Sequence, residues 1–363
     1  MYGRGGNLKL LRQLFEDALT AEINKKGDIE FPFAQSVLTP VDALQSDKVA
    51  YDDEFRAWTN EVWLYEHRQR LKRLLTLHGN EGRFLDLVKA VGSESVVPVI
   101  GAGMSKASGF PLWRDFLHDI RRFTPITESD LDRVLSAGKY EEAVDQLAAA
   151  AGNHLFEERI EQELRVDDPS QIMGPVRFLP ALFSKTVLTT NLDDVLEHVY
   201  SNGDVKFDEV LVGPDVGRYR KLETAKTHAL LKLHGDCRRI DGRVLGVVEY
   251  NACYAPGCPT RESLSLLCRT KALLWMGCSL GIDRTVNLIR ETIAGDGAGP
   301  RHFAFLKLPG DDAIRIAREI ELTKLKIFPI WFDDVDDADD SIAAFLVGIL
   351  DWNDQIANLG GPA

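Results

Sequence analysis

Val96-Val97-Pro98-Val99-Ile100-Gly101-Ala102-Gly103-Met104-Ser105 is the stretch on which the reading of the fold turns. An apolar run of strand length stops abruptly in two glycines and a hydroxyl side chain. In an open α/β sheet, a buried strand that ends in such a turn brings backbone amides to the carboxyl edge, where dinucleotide phosphates can be cradled. Gly-Ala-Gly is also what a tight turn needs simply to pack a helix against a sheet, so both readings stand at this point. The continuation, Ser108-Gly109-Phe110-Pro111-Leu112-Trp113, predicts a short shaped loop before any helix. Its aromatic residues either close over a ligand or belong to the core.

Outward from this turn, apolar runs alternate with helical patterns. Strands are predicted at 96–100, 186–189, 229–233, 272–276, 303–308 and 326–332. Helices are predicted at 131–150, 154–164, 193–200, 283–293, 311–320 and 341–350. Near-continuous apolar runs are those of strands covered on both faces, and the alternation predicts an α/β, Rossmann-like, mostly parallel sheet with helices on both sides. Residues 1–83 read differently, as a helical N-terminal extension. A helix over 8–23 precedes an aperiodic segment over 26–47 and a long helix over 53–77, and a short helix over 84–91 then delivers the chain to the first strand. The long helix ends in His67, Arg68, Arg70, Lys72 and Arg73, which reads as a solvated cationic terminus favoured by the helix dipole, or as a partner contact. The acidic run at 333–340 precedes the helix at 341–350 and reads as helix capping rather than metal binding.

Three more predicted strands end in polar residues. Val187-Leu188-Thr189-Thr190-Asn191-Leu192-Asp193-Asp194 places Asn191 and Asp193 at a carboxyl edge. There they either contact a ligand's hydroxyl and amide groups or cap the following helix. In Leu230-Leu231-Lys232-Leu233-His234-Gly235-Asp236, His234 suits a general base near neutral pH, or is a structural histidine. Leu274-Trp275-Met276-Gly277-Cys278-Ser279-Leu280-Gly281-Ile282-Asp283 supplies another glycine turn and hydroxyl. Four such strand ends are more economically explained by one shared cleft than by four coincidences.

The chain has 363 residues, 45% of them hydrophobic and 27% charged, with a formal net charge of −13. That balance argues against a surface that grips nucleic acid over its whole extent, and no direct sequence-specific nucleic-acid binding is expected. No apolar run is long enough to span a bilayer, and the start does not read as a signal peptide; a cytoplasmic protein is expected. The five cysteines, Cys237, Cys253, Cys258, Cys268 and Cys278, lack the paired spacing of a structural zinc site, so no metal is predicted.

In order, Gly-Ala-Gly-Met-Ser, Thr-Thr-Asn-Leu-Asp, Lys-Leu-His-Gly and Gly-Cys-Ser-Leu resemble the sirtuin family over about 96–293. Within it the Trp113 position, the Thr-Thr-Asn form and the Ser-Leu-x-x-Asp ending look closest to the prokaryotic sirtuin-like NADases of anti-phage defence. The resemblance implies that Gly101, Ala102, Gly103 and Ser105 bind the pyrophosphate and adjacent ribose of NAD, with Thr190 part of the same surface. It implies that Asn191 and Asp193 position the nicotinamide ribose and the water or nicotinamide group, and that His234 is the base near the ribose hydroxyls. Gly277, Ser279 and Leu280 would line the adenosine side, with Asp283 matching the defence-type motif. Deacylating relatives carry a four-cysteine zinc module after His-Gly and a Phe-Arg pair after the loop proline. Here the module's spacing is missing and the loop reads Leu112-Trp113-Arg114, which puts acyl-lysine binding in doubt.

The expected function is thus hydrolysis of NAD⁺ as a substrate to ADP-ribose and nicotinamide, depleting NAD in defence, by catalytic Asn191 and His234. The alternatives are an NAD-dependent protein deacylase, a non-catalytic NAD or ADP-ribose sensor, and a scaffold subunit. Residues 84–363 would form the catalytic domain and residues 1–83, with Trp58 and Trp63, an assembly surface for a homo-oligomer. The resemblance implies a HerA-like ATPase partner, or in its place a short Argonaute protein.

Overall fold

The computed structural model describes residues 8–26, 40–201, 205–223, 227–280, 291 and 299–356. Asp283, most of the helix expected at 283–293 and the terminal 360–363 lie outside the described residues.

Seven strands form one sheet: β1 Val96–Ile100, β2 Thr186–Thr189, β3 Glu209–Val212, β4 Ala229–Lys232, β5 Ala272–Met276, β6 His302–Lys307 and β7 Ile327–Phe332. Their order is β3-β4-β2-β1-β5-β6-β7, and every pair is parallel. The chain leaves β1 to one side for β2, β3 and β4, then crosses to β5 on the other, so β1 stands at the topological switch point where open α/β sheets bind ligands. Register aligns the strand ends: Ile100 lies beside Thr189 and Met276, so the turns at 101, 190 and 277 emerge level. The edge strand β3 was not foreseen. Only four residues long and half-exposed at Glu209 and Val210, it lacks the continuous apolar run of a central strand.

Alternating side chains fill two layers. Ile100, Val187, Leu230, Leu274, Phe305 and Ile330 face one cluster, whereas Val99, Leu188, Leu231, Trp275 and Trp331 face the other. The first layer includes the N-terminal helices. Leu11 and Phe15 of Leu8–Lys26, Phe55 of Lys48–Ala57 and Leu74 of Leu64–Leu75 are buried with the Ala338–Trp352 helix, ten consecutive residues of which are buried. Trp63 is likewise core, packed against His67 and Phe178, rather than part of an exposed assembly face. The long helix starts earlier than its periodicity suggests, at Lys48, where the Asp47 carboxylate caps the amides of Val49 and Ala50. It passes through a π-helical turn, Trp58–Trp63, into Leu64–Leu75.

The cationic end of that helix and the acidic run meet. Arg73 pairs with Asp333 and Asp336, each at 2.5 Å, Arg70 with Asp336 at 3.2 Å and Asp340 at 3.4 Å, and Arg68 with Asp351 at 2.7 Å. The helix terminus is therefore neither free nor simply solvated, and the Asp337 side chain makes no cap bond to the helix that follows.

Between β1 and β2 the chain builds a helical module of Trp113–Arg121, Glu128–Ser136, Tyr140–Ala151 and Asn153–Leu164 with its own apolar cluster. The single helix expected at 131–150 is broken where Gly138 takes a left-handed φ of 73°. Leu192, Cys237 and Leu245 belong to the same cluster, which seats the module on the loops that follow β2 and β4. No helix of the described residues is long and apolar enough to cross a membrane.

Candidate active site

Two glycine turns meet back to back at the switch point. The amides of Gly101 and Gly103 donate to the carbonyls of Met276 (2.9 Å) and Gly277 (3.0 Å). A Cβ on Gly101 would lie 2.6 Å from the Gly277 oxygen, and one on Gly103 would lie 2.9 Å from the Gly277 Cα. Gly277 has a φ of 67°, and a Cβ there would stand 2.5 Å from the Met104 nitrogen. Packing of the two turns thus demands all three glycines. The Met104 and Ser105 amides are also engaged, within the turn, so what this wall offers a ligand is the close approach of its backbone at Gly101, Ala102 and Gly103.

A cleft of about 1240 Å³ runs over these turns, between the carboxyl edge of the sheet and the helical module. It unites Gly101, Ala102, Gly103, Thr190, Gly277, Ser279 and Leu280 of the predicted set. Leu280, a non-glycine residue at φ 50°, is held by Arg318, whose Nη2 donates to the carbonyls of Ser279 (3.2 Å) and Leu280 (2.5 Å). Asp337 and Asp339 also line the cleft. Sequence reasoning gave Arg318 no role; its position in the Asp312–Lys324 helix carries no motif.

Ser105, Asn191, Asp193 and His234 stand outside the cleft lining. Asn191 lies two residues beyond the rung that joins Thr189 to Lys232, and His234 lies two residues beyond the same rung on β4. The Thr189 hydroxyl donates to the Ile100 carbonyl and accepts from the Asn191 amide, which ties this loop to β1. Asn191 Nδ2 donates to the buried Ser105 Oγ at 3.1 Å. Its Oδ1 is sealed from solvent and has no hydrogen-bond partner among the described residues. Leaving such an acceptor unsatisfied costs on the order of 1–3 kcal/mol. Asp193 is buried as well; it caps the Val195 amide, and burial raises its pKa despite the opposing pull of Lys232 and the Ser105 hydrogen bond. Asp193 thus serves the backbone at the start of the Val195–Ser201 helix.

Half-buried His234 shares a 2.6 Å hydrogen bond through Nε2 with the Tyr250 hydroxyl, from the Val247–Tyr254 helix. Behind it, Arg243 donates to the carbonyls of Asp236 (2.9 Å) and Cys237 (2.6 Å) and pairs with Glu157 of the helical module. Gly235, at φ 122°, leaves room for it: a Cβ would be 2.8 Å from Arg243 Cγ. Neither Tyr250 nor Arg243 lies in a recognisable motif. Nor was Lys232 singled out, although it is fully buried within the strand that ends at His234. All five cysteines are free thiols, and among the described residues no three His, Cys, Asp or Glu side chains gather as a metal set.

No curated protein matches the chain. Residues 185–330, which carry every predicted site residue except those of the Gly101–Ser105 turn, match the family model of the SIR2-like domain. With the parallel sheet, this match supports the sirtuin-like resemblance and, in general terms, an NAD-related function.

Proposed function

We propose that the chain is an NAD⁺ glycohydrolase that cleaves the nicotinamide–ribose bond. The observation that carries the reading is Asn191: a buried side-chain amide with its nitrogen fixed on Ser105 and its oxygen left without a partner, beside a cleft floored by two glycine turns. A polar atom held unsatisfied at its own cost is the signature of a site completed by a ligand donor, here a water or a ribose hydroxyl.

In the proposed reaction the bond from ribose C1 to the nicotinamide nitrogen breaks. Its electron pair neutralises the pyridinium, and neutral nicotinamide leaves. An oxocarbenium-like ribose is captured by water, whose oxygen bonds to C1 and whose proton passes to His234 and then to solvent, giving ADP-ribose. Asn191 orients the water or the ribose, while the Tyr250 hydroxyl holds the His234 ring through Nε2. The backbone at Gly101, Ala102 and Gly103 passes close to the pyrophosphate, Thr190 and Ser279 line the path, and Leu280 flanks the adenosine side.

The reading extends to the setting that the resemblance implies: a homo-oligomeric effector of defence, partnered with a HerA-like ATPase. Mass measurement of the protein alone and with that ATPase tests the assembly. For the chemistry, Asn191→Ala and His234→Ala should each reduce NAD loss by about 100-fold or more while the far-UV circular dichroism is unchanged. Wild-type rates in either folded variant would remove the assignment. O-acyl-ADP-ribose formed from an acylated peptide would replace hydrolysis by deacylation.

A further inference from the structure

Directly beneath the Asn191 loop lies a charge that the proposed chemistry does not use. Lys232 Nζ, with no solvent exposure, donates to the carbonyls of Leu192 (3.3 Å) and Asp193 (2.8 Å) and to the carboxylates of Glu197 (2.7 Å) and Asp236 (2.7 Å). These acceptors come from three places: the loop after β2, the Val195–Ser201 helix and the turn just past His234. One ammonium thus bridges the segment that bears Asn191 to the segment that bears His234. A lysine buried this completely is tolerated only with its charge compensated. Burial works against the charge, but Glu197 and Asp236 outweigh it and keep the ammonium protonated, with its pKa raised.

The connection to Asn191 continues through named atoms. The carbonyl of Asp193 is held by Lys232, and the Asp193 side chain interacts with the Ser105 hydroxyl, which in turn accepts from Asn191 Nδ2. Fixing the Leu192 and Asp193 carbonyls therefore fixes the backbone on which Asn191 is mounted. Building on the hydrolase reading, we propose that Lys232 is a positioning residue which, clamped by Glu197 and Asp236, sets the placement of the Asn191 side-chain amide relative to His234.

The test uses the full-length protein in two variants. In Lys232→Met combined with Glu197→Gln and Asp236→Asn, the clamp is made neutral at similar volume, so neither of its carboxylates is stranded, although the buried Asp193 loses the pull of Lys232. In the milder Glu197→Gln, a largely buried position keeps an acceptor for Lys232 but loses the charge. With selective ¹⁵N-asparagine labelling, the Asn191 side-chain amide is assigned by its disappearance in Asn191→Ala, and its hydrogen exchange is followed. The expectation is faster exchange and a moved resonance in both variants. In NAD turnover, kcat should fall about 10-fold or more in the triple variant and about 3-fold in Glu197→Gln, with KM within about 3-fold of wild type. A purely structural lysine would change melting temperature without this split. Either variant that folds with the Asn191 resonance, its exchange and kcat all at wild-type values overturns the proposal. If wild type itself does not consume NAD, the hydrolase reading fails, while the resonance and exchange still decide whether Lys232 positions Asn191.

Discussion

At the residue scale, one set of glycines answers the ambiguity of the first motif. Gly101, Gly103 and Gly277 are fixed by the approach of two turns, and the same approach forms the cleft floor, so the packing demand and the lining of the cleft are a single arrangement. Gly277→Ala adds a Cβ at φ 67° within 2.5 Å of the Met104 nitrogen. It should destabilise the fold by roughly 2–4 kcal/mol, measured by urea unfolding, because left-handed strain and overpacking add. Wild-type stability would show that the turns can separate. A second residue reports on acid. His302 is fully buried, its Nδ1 accepts from the Leu273 amide, and burial lowers its pKa from 6.5 to about 4. The folded protein therefore resists a proton that the unfolded chain accepts. Stability from this group is complete above pH 6.5 and is lost as pH falls toward 4, by about 3 kcal/mol in all. In His302→Gln the drop in stability between those pH values should shrink; an unchanged drop would place the acid sensitivity elsewhere. The polar strand ends were legible from the sequence because each interrupts an apolar run. Lys232, Tyr250 and Arg318 were not, because their meaning lies in partners distant along the chain.

At the scale of elements, the sequence shows what each segment is but not what it faces. The basic end of the Leu64–Leu75 helix and the acidic run at 333–340 each have a self-sufficient local account, as a favourable helix terminus and as a helix cap. Three-dimensional proximity replaces both with a set of ion pairs, and the same acidic run carries Asp337 and Asp339 in the cleft lining. Arg73→Ala should consequently loosen that part of the lining. The expected result is a KM for NAD raised about 2–5-fold with kcat little changed, and a stability loss of no more than about 1 kcal/mol, since these pairs are partly solvated. The difference from wild type should narrow in ~0.5 M salt as screening weakens the wild-type pairs. An effect confined to kcat would disconnect the clamp from substrate binding. The edge strand β3 and the break at Gly138 escaped periodicity for a similar reason: four residues, or one turn, carry too little pattern.

At the scale of the molecule, the sheet and its coverings followed from the alternation of apolar runs, whereas the role of the N-terminal helices did not. Helices without intervening strands read as an extension of the sheet domain, yet Leu11, Phe15, Phe55 and Leu74 share one core with the Ala338–Trp352 helix. Removal of the residues before Phe84 would bare that helix, whose stretch from Ile342 to Leu350 carries no polar side chain. Such a truncation should be insoluble or aggregated, as read by size-exclusion chromatography and light scattering. A soluble, monodisperse truncation that melts like wild type would instead restore the picture of a separable assembly arm. The helical module between β1 and β2 has the converse character, a cluster of its own resting on the loops after β2 and β4, and it closes the cleft from above. The glycine floor, the unpartnered Asn191 Oδ1 and the His234–Tyr250 pair all follow strand ends at the carboxyl edge of the assembled sheet, Asn191 and His234 outside the cleft lining, and cleavage of NAD is the reading proposed for them. The most direct measurement is incubation of the full-length protein, alone and with the proposed ATPase, with NAD⁺ in ¹⁸O-labelled water. Equal amounts of nicotinamide and ADP-ribose carrying ¹⁸O on the ribose C1 hydroxyl, lost in Asn191→Ala, are predicted; intact NAD⁺ in both conditions, or equal turnover in folded Asn191→Ala, would contradict the account.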